Sequence, residues 1–142
     1  MALSADLLSQ PAFRLTLVAE PLAVRDGLVR IMASAPMAAL SVDHRSTAEI
    51  VLAEVLNNIT EHAYADGTGP IAISLVATPA GLDCHIQDSG REMPGGSLPV
   101  GTLPEEELPE GGFGWFLIRS LTQGLSYQRK DGQNHTWFVI PA

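Results

Sequence analysis

The sequence predicts an α+β fold: a two-layer sandwich in which helices cover one face of a mixed β-sheet. Three observations carry that prediction. Strand-like alternation opens the chain at residues 13–19 and returns in two later pairs of segments, each joined by a turn signature. Between the first strand and those pairs, two stretches carry apolar residues at helical spacing. A short apolar helix then separates the two pairs, so the element order is β-α-α-β-β-α-β-β.

Size and composition agree with a single folded domain. The chain has 142 residues, of which 46% are hydrophobic and 17% charged, enough to bury a core without metal or disulfide support. Its net charge is −8, with 8 Lys and Arg against 16 Asp and Glu. So few cations argue against a direct grip on nucleic acid and against docking on an anionic membrane. No apolar run reaches the roughly 20 residues that cross a bilayer, and no basic segment precedes an apolar one at the N-terminus. A cytoplasmic protein is expected. The single cysteine, Cys84, lies in an apolar run and reads as a buried, reduced thiol.

Taken in order, residues 1–10 are expected to form a flexible tail and 11–142 the domain. The alternation at 13–19 is the first strand. Pro21 suits the first turn of a helix that runs to about Ser34, before Pro36. Val24, Leu28, Ile31 and Ala35 make its apolar stripe, and Leu22, Val29 and Met32 widen it. That breadth suits core packing first and, second, a face for a partner. A second helix starts near Ser41 or Asp43 and runs to about Ala65, where Asp66-Gly67 stops it. Its buried stripe is Ala48, Val51, Leu52, Val55, Ile59 and Ala63, with His62 packed on the same side. Segments 71–78 and 82–88 make a hairpin around Pro79-Ala80-Gly81. Residues 91–110 are rich in Pro and Gly and lack any period, as lids and binding loops are. A short helix at 115–122 and a hairpin of 125–130 with 135–140 around Asp131-Gly132 complete the domain.

Three polar islands interrupt this apolar plan. Glu54 and Asn58 stand one helical turn apart on the border of the buried stripe. A carboxylate there can take a proton from a hydroxyl, and an amide oxygen can complete the shell of a Mg²⁺ already held by phosphates. Asn57 competes for the second role, but it faces about 100° away. Asp88, at a strand end in Asp88-Ser89-Gly90, can accept from the exocyclic amine of adenine and would repel the O6 of guanine. Gly90 would let the backbone approach a flat ring. Gly111-Gly112-Phe113-Gly114 precedes an apolar helix and offers free N–H groups to an anion. It is neither a P-loop nor a dinucleotide fingerprint. Each island alone fits an ordinary amphipathic border, turn or loop end.

In this order the islands resemble those of the serine kinases that act as anti-sigma factors, within the histidine-kinase-like ATPase superfamily. The resemblance spans about residues 12–141. It is most specific at Glu54-Val-Leu-Asn-Asn58-Ile-Thr-Glu-His62-Ala63-Tyr64 and Glu110-Gly-Gly-Phe-Gly-Trp-Phe-Leu-Ile118. It implies that 11–142 is an ATP-binding kinase domain with ATP and Mg²⁺ as cofactors. Glu54 is then the general base and Asn58 the Mg²⁺ ligand. Asp88 accepts from adenine with Gly90 beside the base, Gly112, Phe113 and Gly114 bind phosphate, and 91–110 is the ATP lid. The implied activity is phosphorylation of a serine on an anti-anti-sigma antagonist. The implied partners are that antagonist, a sigma factor and a second copy of the chain.

Two departures shape the alternative. Glu92 stands where the superfamily commonly has a second glycine after Asp88, and the lid carries Glu105, Glu106, Glu107 and Glu110 with Arg91 its only base. An acidic lid suits a nucleotide-gated binding module with little or no kinase activity. A two-component histidine kinase would need a phosphoacceptor histidine on a dimerisation helix, whereas His44 reads as a helix-start residue.

Overall fold

One sheet organises the protein, in the order β1-β2-β3-β5-β4. Its strands are β1 (Ala12–Val18), β2 (Pro70–Thr78), β3 (Gly81–Asp88), β4 (Gln123–Lys130) and β5 (Gln133–Pro141). The helices are α1 (Pro21–Met32), α2 (Ala35–Ala38), α3 (Val42–Asn58) and α4 (Gly112–Leu121). The computed structural model describes residues 10–99 and 112–142. The expected tail, save Gln10, residues 100–110 of the expected lid, Glu105, Glu106, Glu107 and Glu110 among them, and Gly111 of the expected phosphate turn lie outside the described residues.

Alternation sorts the strands into two faces. Leu15 and Leu17, Ile71, Ile73 and Leu75, Leu82, Cys84 and Ile86, and Phe138 and Ile140 are buried. They form one core with Val24 and Ile31 of α1, Val51, Leu52, Val55 and Leu56 of α3, and Trp115 and Ile118 of α4. Burial pushes the Cys84 thiol well above its ordinary value, as expected of an inert core cysteine. The two-layer α+β expectation holds. The sheet is not mixed, however: all four ladders are antiparallel. The helical connection after β1 returns the chain to the end of the sheet it left, so Val18 faces Pro70 across the ladder. The connection through α4 does deliver β4 parallel to β3, but β5 inserts between them.

The helices differ locally from the periodicity. α1 stops at Met32, and Ala35, expected in its stripe, instead opens α2 and is exposed. Ser41 caps α3, its hydroxyl accepting from His44 N at 3.2 Å, while the His44 ring bonds the same oxygen. The expected continuation to Ala65 is not regular. From Ile59 to Ala63 the coil widens into a π-helical turn, closed by Tyr64 N donating to Ile59 O at 3.1 Å. α4 begins at Gly112 rather than Trp115, so Gly112 and Gly114 lie inside its first turn. Among the described residues no helix is long and apolar enough to cross a membrane.

Candidate functional site

Asp88 ends β3 and pairs across the sheet with Ile71 and Asn134, at the same end as Val18 and Pro70. The last turns of α3 and the first turn of α4 come to this end. Asn58 is the last residue of α3 and only 6% exposed, whereas Asn57 is exposed. Glu54, one turn earlier, is half-buried. Gly114 packs against both: a β-carbon there would lie 2.6 Å from Glu54 Oε2 and 3.4 Å from Asn58 Nδ2. Any side chain at residue 114 would displace the carboxylate, which explains a glycine inside the first turn of a helix. The first N–H groups of a helix have no acceptor within it, and Gly114 places this first turn beside Glu54 and Asn58.

Asn58 Nδ2 is buried without a hydrogen-bond partner, alone in that respect among the described side chains. The two orientations of an amide are interchangeable, so the same position can present Oδ1. A buried amide left open costs about 1–3 kcal/mol. A ligand acceptor at this position would satisfy it. No group of three or more His, Cys, Asp or Glu among the described residues could hold a metal ion by itself. A hard cation held by one amide oxygen and by phosphate oxygens fits such a donor set.

A cavity of about 270 Å³ opens beside Asn58. The α3 end lines it with Val55, Asn58, Ile59, His62 and Ala63, the sheet with Asp88, Tyr127, Asn134 and Thr136. Trp115 of α4 and the segment Arg91 to Pro94 close the remaining sides. His62 is exposed, contrary to the expected packed position. The wider π turn advances each residue by less than the regular 100°, which carries His62 off the buried stripe to the cavity.

Asp88 is 3% exposed, and its Oδ1 accepts from Gly90 N at 2.9 Å and Asn134 Nδ2 at 2.8 Å. Oδ2 takes part in neither bond. Burial raises the carboxyl above its ordinary value, against the pull of the Asn134 and Gly90 donors and the charge of Arg129. Gly90 does not line the cavity; a β-carbon on it would lie 2.6 Å from both Cβ and O of Ala63. Its small size lets the chain leave β3 directly beneath the π turn. There Arg91 N donates to Ala63 O at 2.8 Å and Arg91 Nη2 to His62 O at 3.2 Å. Tyr64 secures the same junction, its hydroxyl donating to Pro70 O at 2.8 Å and accepting from Ser89 N at 2.7 Å.

The structure therefore brings Glu54, Asn58 and Gly114 into contact and sets Asp88 across the same cavity as Asn58. Gly112 joins them as the first residue of α4, and Phe113 is described only as backbone of that helix. Sequence reasoning missed Asn134, Thr136, Tyr127 and Trp115. One signal was present: extending the final alternation inward gives Asn134, Thr136, Phe138 and Ile140, two of them polar on a buried face.

Known proteins resemble this chain in sequence and in fold. The serine/threonine-protein kinase BtrW of Bordetella bronchiseptica is 37% identical over 94 residues, 64% of this chain and 66% of that protein. The solved RsbU and RsbW domains of Rv1364c from Mycobacterium tuberculosis match 92% of this chain with a TM-score of 0.61. At 14% identity that likeness is one of fold, and it covers 32% of the mycobacterial chain. The chain thus spans just under two thirds of the first relative and about a third of the second. The profile of the histidine kinase-like ATPase domain matches residues 17–140, which takes in every site residue described above. With its fold, its cavity and that match in agreement, the chain belongs to the histidine kinase-like ATPase domain family.

Proposed function

We propose that this chain is an ATP- and Mg²⁺-dependent serine protein kinase that acts as an anti-sigma factor in the cytoplasm. In this reading it holds a sigma factor and phosphorylates a serine of an anti-anti-sigma antagonist. The observation that carries the reading is the unpartnered, buried Asn58 amide, set against Gly114 beside Glu54 and across the cavity from Asp88. The kinase name of the Bordetella relative supports the same activity.

Each residue then has one task. Asp88 Oδ2 accepts from the exocyclic amine of adenine. The N–H groups of Gly112, Phe113 and Gly114 face the phosphates, and Gly90 lets the chain pass beneath the π turn that carries one cavity wall. Asn58 would hold Mg²⁺, which when bound neutralises charge on the phosphate oxygens. Glu54 orients the acceptor serine and takes its proton as the hydroxyl oxygen bonds to the γ-phosphorus and ADP leaves. Leu22 and Val29 of α1, 74% and 66% exposed and seven residues apart on one helix face, suit a homodimer contact.

A second reading has its own support. Among the described residues Arg91 is the only Arg or Lys lining the cavity, and its guanidinium turns to His62 O and Asp66. Phosphoryl transfer needs charge neutralised on the γ-phosphate. With no such cation, ATP would gate partner binding and transfer would be negligible. Labelled ATP, Mg²⁺ and the antagonist co-purified with the chain separate the two. Transfer by the parent chain, lost in Glu54→Ala with ATP binding kept, supports the kinase. Near-parental transfer by Glu54→Ala overturns the role of that residue, and no transfer by the parent supports the gated module.

A further inference from the structure

Asn134 uses its whole amide. Nδ2 donates to Asp88 Oδ1 and to Arg91 O, both at 2.8 Å, while Oδ1 accepts from Arg129 Nη1 at 3.1 Å and from the Tyr127 hydroxyl. A flipped amide would set donors against donors, so the orientation is fixed. Tyr127 in turn accepts from Met93 N at 3.0 Å, and Arg129 Nη1 donates to Gly90 O at 2.6 Å. One buried side chain therefore ties the carboxylate at the end of β3 to residues 90–93 and to the β4–β5 hairpin.

We propose that Asn134 is the positioning residue of the purine site, holding Asp88 by one oxygen so that the other discriminates adenine from guanine. The inference rests on the nucleotide reading above and deepens it. A carboxylate in a cavity wall can rotate about its last bond, and a rotating acceptor selects poorly. Two donors on Oδ1 remove that freedom and leave Oδ2 aimed in one direction. Asn134 has a second effect. Burial already favours the neutral acid at Asp88, and the Asn134 amide is among the groups opposing it. A protonated Asp88 would present a donor and so donate to the O6 of guanine. Asn134 thus protects both the direction and the charge that selectivity requires. Asn134 itself need not touch the base.

The other charged and titratable groups around Asp88 are Arg129 on β4, His135 on β5 and Tyr64 after the π turn. His62, Arg91, Glu92 and Tyr127 complete the set around the cavity. All but Tyr127 stay unchanged in the variants below, so the readout is the difference from the parent chain.

ATP and GTP affinities are measured by calorimetry with Mg²⁺ from about pH 5.5 to about 8.5 for the parent, Asn134→Ala and Tyr127→Phe. Losing a hydrogen bond to a charged group predicts that Asn134→Ala binds ATP about tenfold more weakly or worse. The ATP-to-GTP preference falls with it, and the midpoint below which ATP binding weakens moves to higher pH. Tyr127→Phe shifts the same quantities less. An unchanged ATP-to-GTP ratio and an unmoved pH profile would overturn the inference, because a merely structural asparagine would weaken both nucleotides alike. Should Asn134→Ala fail to fold, the ratio and midpoint in Tyr127→Phe decide in its place. Failure of the parent to bind either nucleotide would sink the nucleotide reading itself, which sets that failure apart.

Discussion

Glu54 Oε2 occupies the space that a side chain at Gly114 would need: a β-carbon there would approach it to 2.6 Å. The contact joins α3 to α4 through two residues 60 positions apart in the chain. It also lets stability and catalysis be separated by one methyl group. In Gly114→Ala the obstructed atom is the end of a flexible side chain, so the fold should persist. Alanine in a helix is better than glycine by up to about 1 kcal/mol. The displaced Glu54, by contrast, should lower phosphoryl transfer by roughly a hundredfold. An unchanged or higher Tm with a collapsed kcat is the expected pair of results; equal loss of both would refute the contact's catalytic meaning.

Asp88→Asn keeps an oxygen for the Gly90 and Asn134 donors and turns an amide toward the base. ATP affinity should fall by about 1.5–3 kcal/mol, and GTP should gain relative to ATP. Stability should move the other way. The folded-state value of Asp88 lies above its unfolded value, so its contribution is present in acid and is lost as pH rises through the folded value. The variant should therefore melt higher than the parent near neutral pH, with the difference vanishing in acid. Calorimetry and thermal melts across pH test both halves.

Asn58→Ala removes an amide that the folded chain leaves unpaired. Relief of that group offsets the small void left behind, so Tm should change little. The gain in ATP affinity on adding Mg²⁺ should disappear. Titrations with and without the ion measure that increment directly, and an intact increment would remove Asn58 from the metal role.

On the opposite face of the sheet, His85 Nε2 and His135 Nδ1 lie 3.0 Å apart, with Trp137 stacked on both rings. The bond needs one bare nitrogen, and burial followed by His135 lowers the His85 value. A base lowered in the folded state gives stability that is complete above the unfolded value and lost as pH falls through the folded one. Tm should therefore drop on acidification from neutrality, and His85→Gln should flatten that slope. An identical slope in the variant would assign the acid sensitivity elsewhere.

Much of this was legible in the chain. Short-range chemistry announced itself: a helix start near Ser41 or Asp43, the Glu54 and Asn58 spacing, and the Asp131-Gly132 turn, where both residues have positive φ. What the chain concealed is of another kind. Nothing in Ile59-Thr60-Glu61-His62-Ala63 breaks a helix, so the widened turn and the exposure of His62 had no local marker. Strand direction depends on where β5 inserts, a choice made by the whole sheet. The bond from Asn134 to Asp88 spans 46 positions, and only the inward phase of two polar residues on β5 hinted at it.

The π turn fixes how the chain leaves β3. Because the widened coil offers the carbonyls of His62 and Ala63 to Arg91, the third amide after the strand is tied to the end of α3. Deuterium labelling should find the Arg91 amide as slow to exchange as its neighbours in the strand. The exit from β3 and the end of α3 should then unfold as one unit.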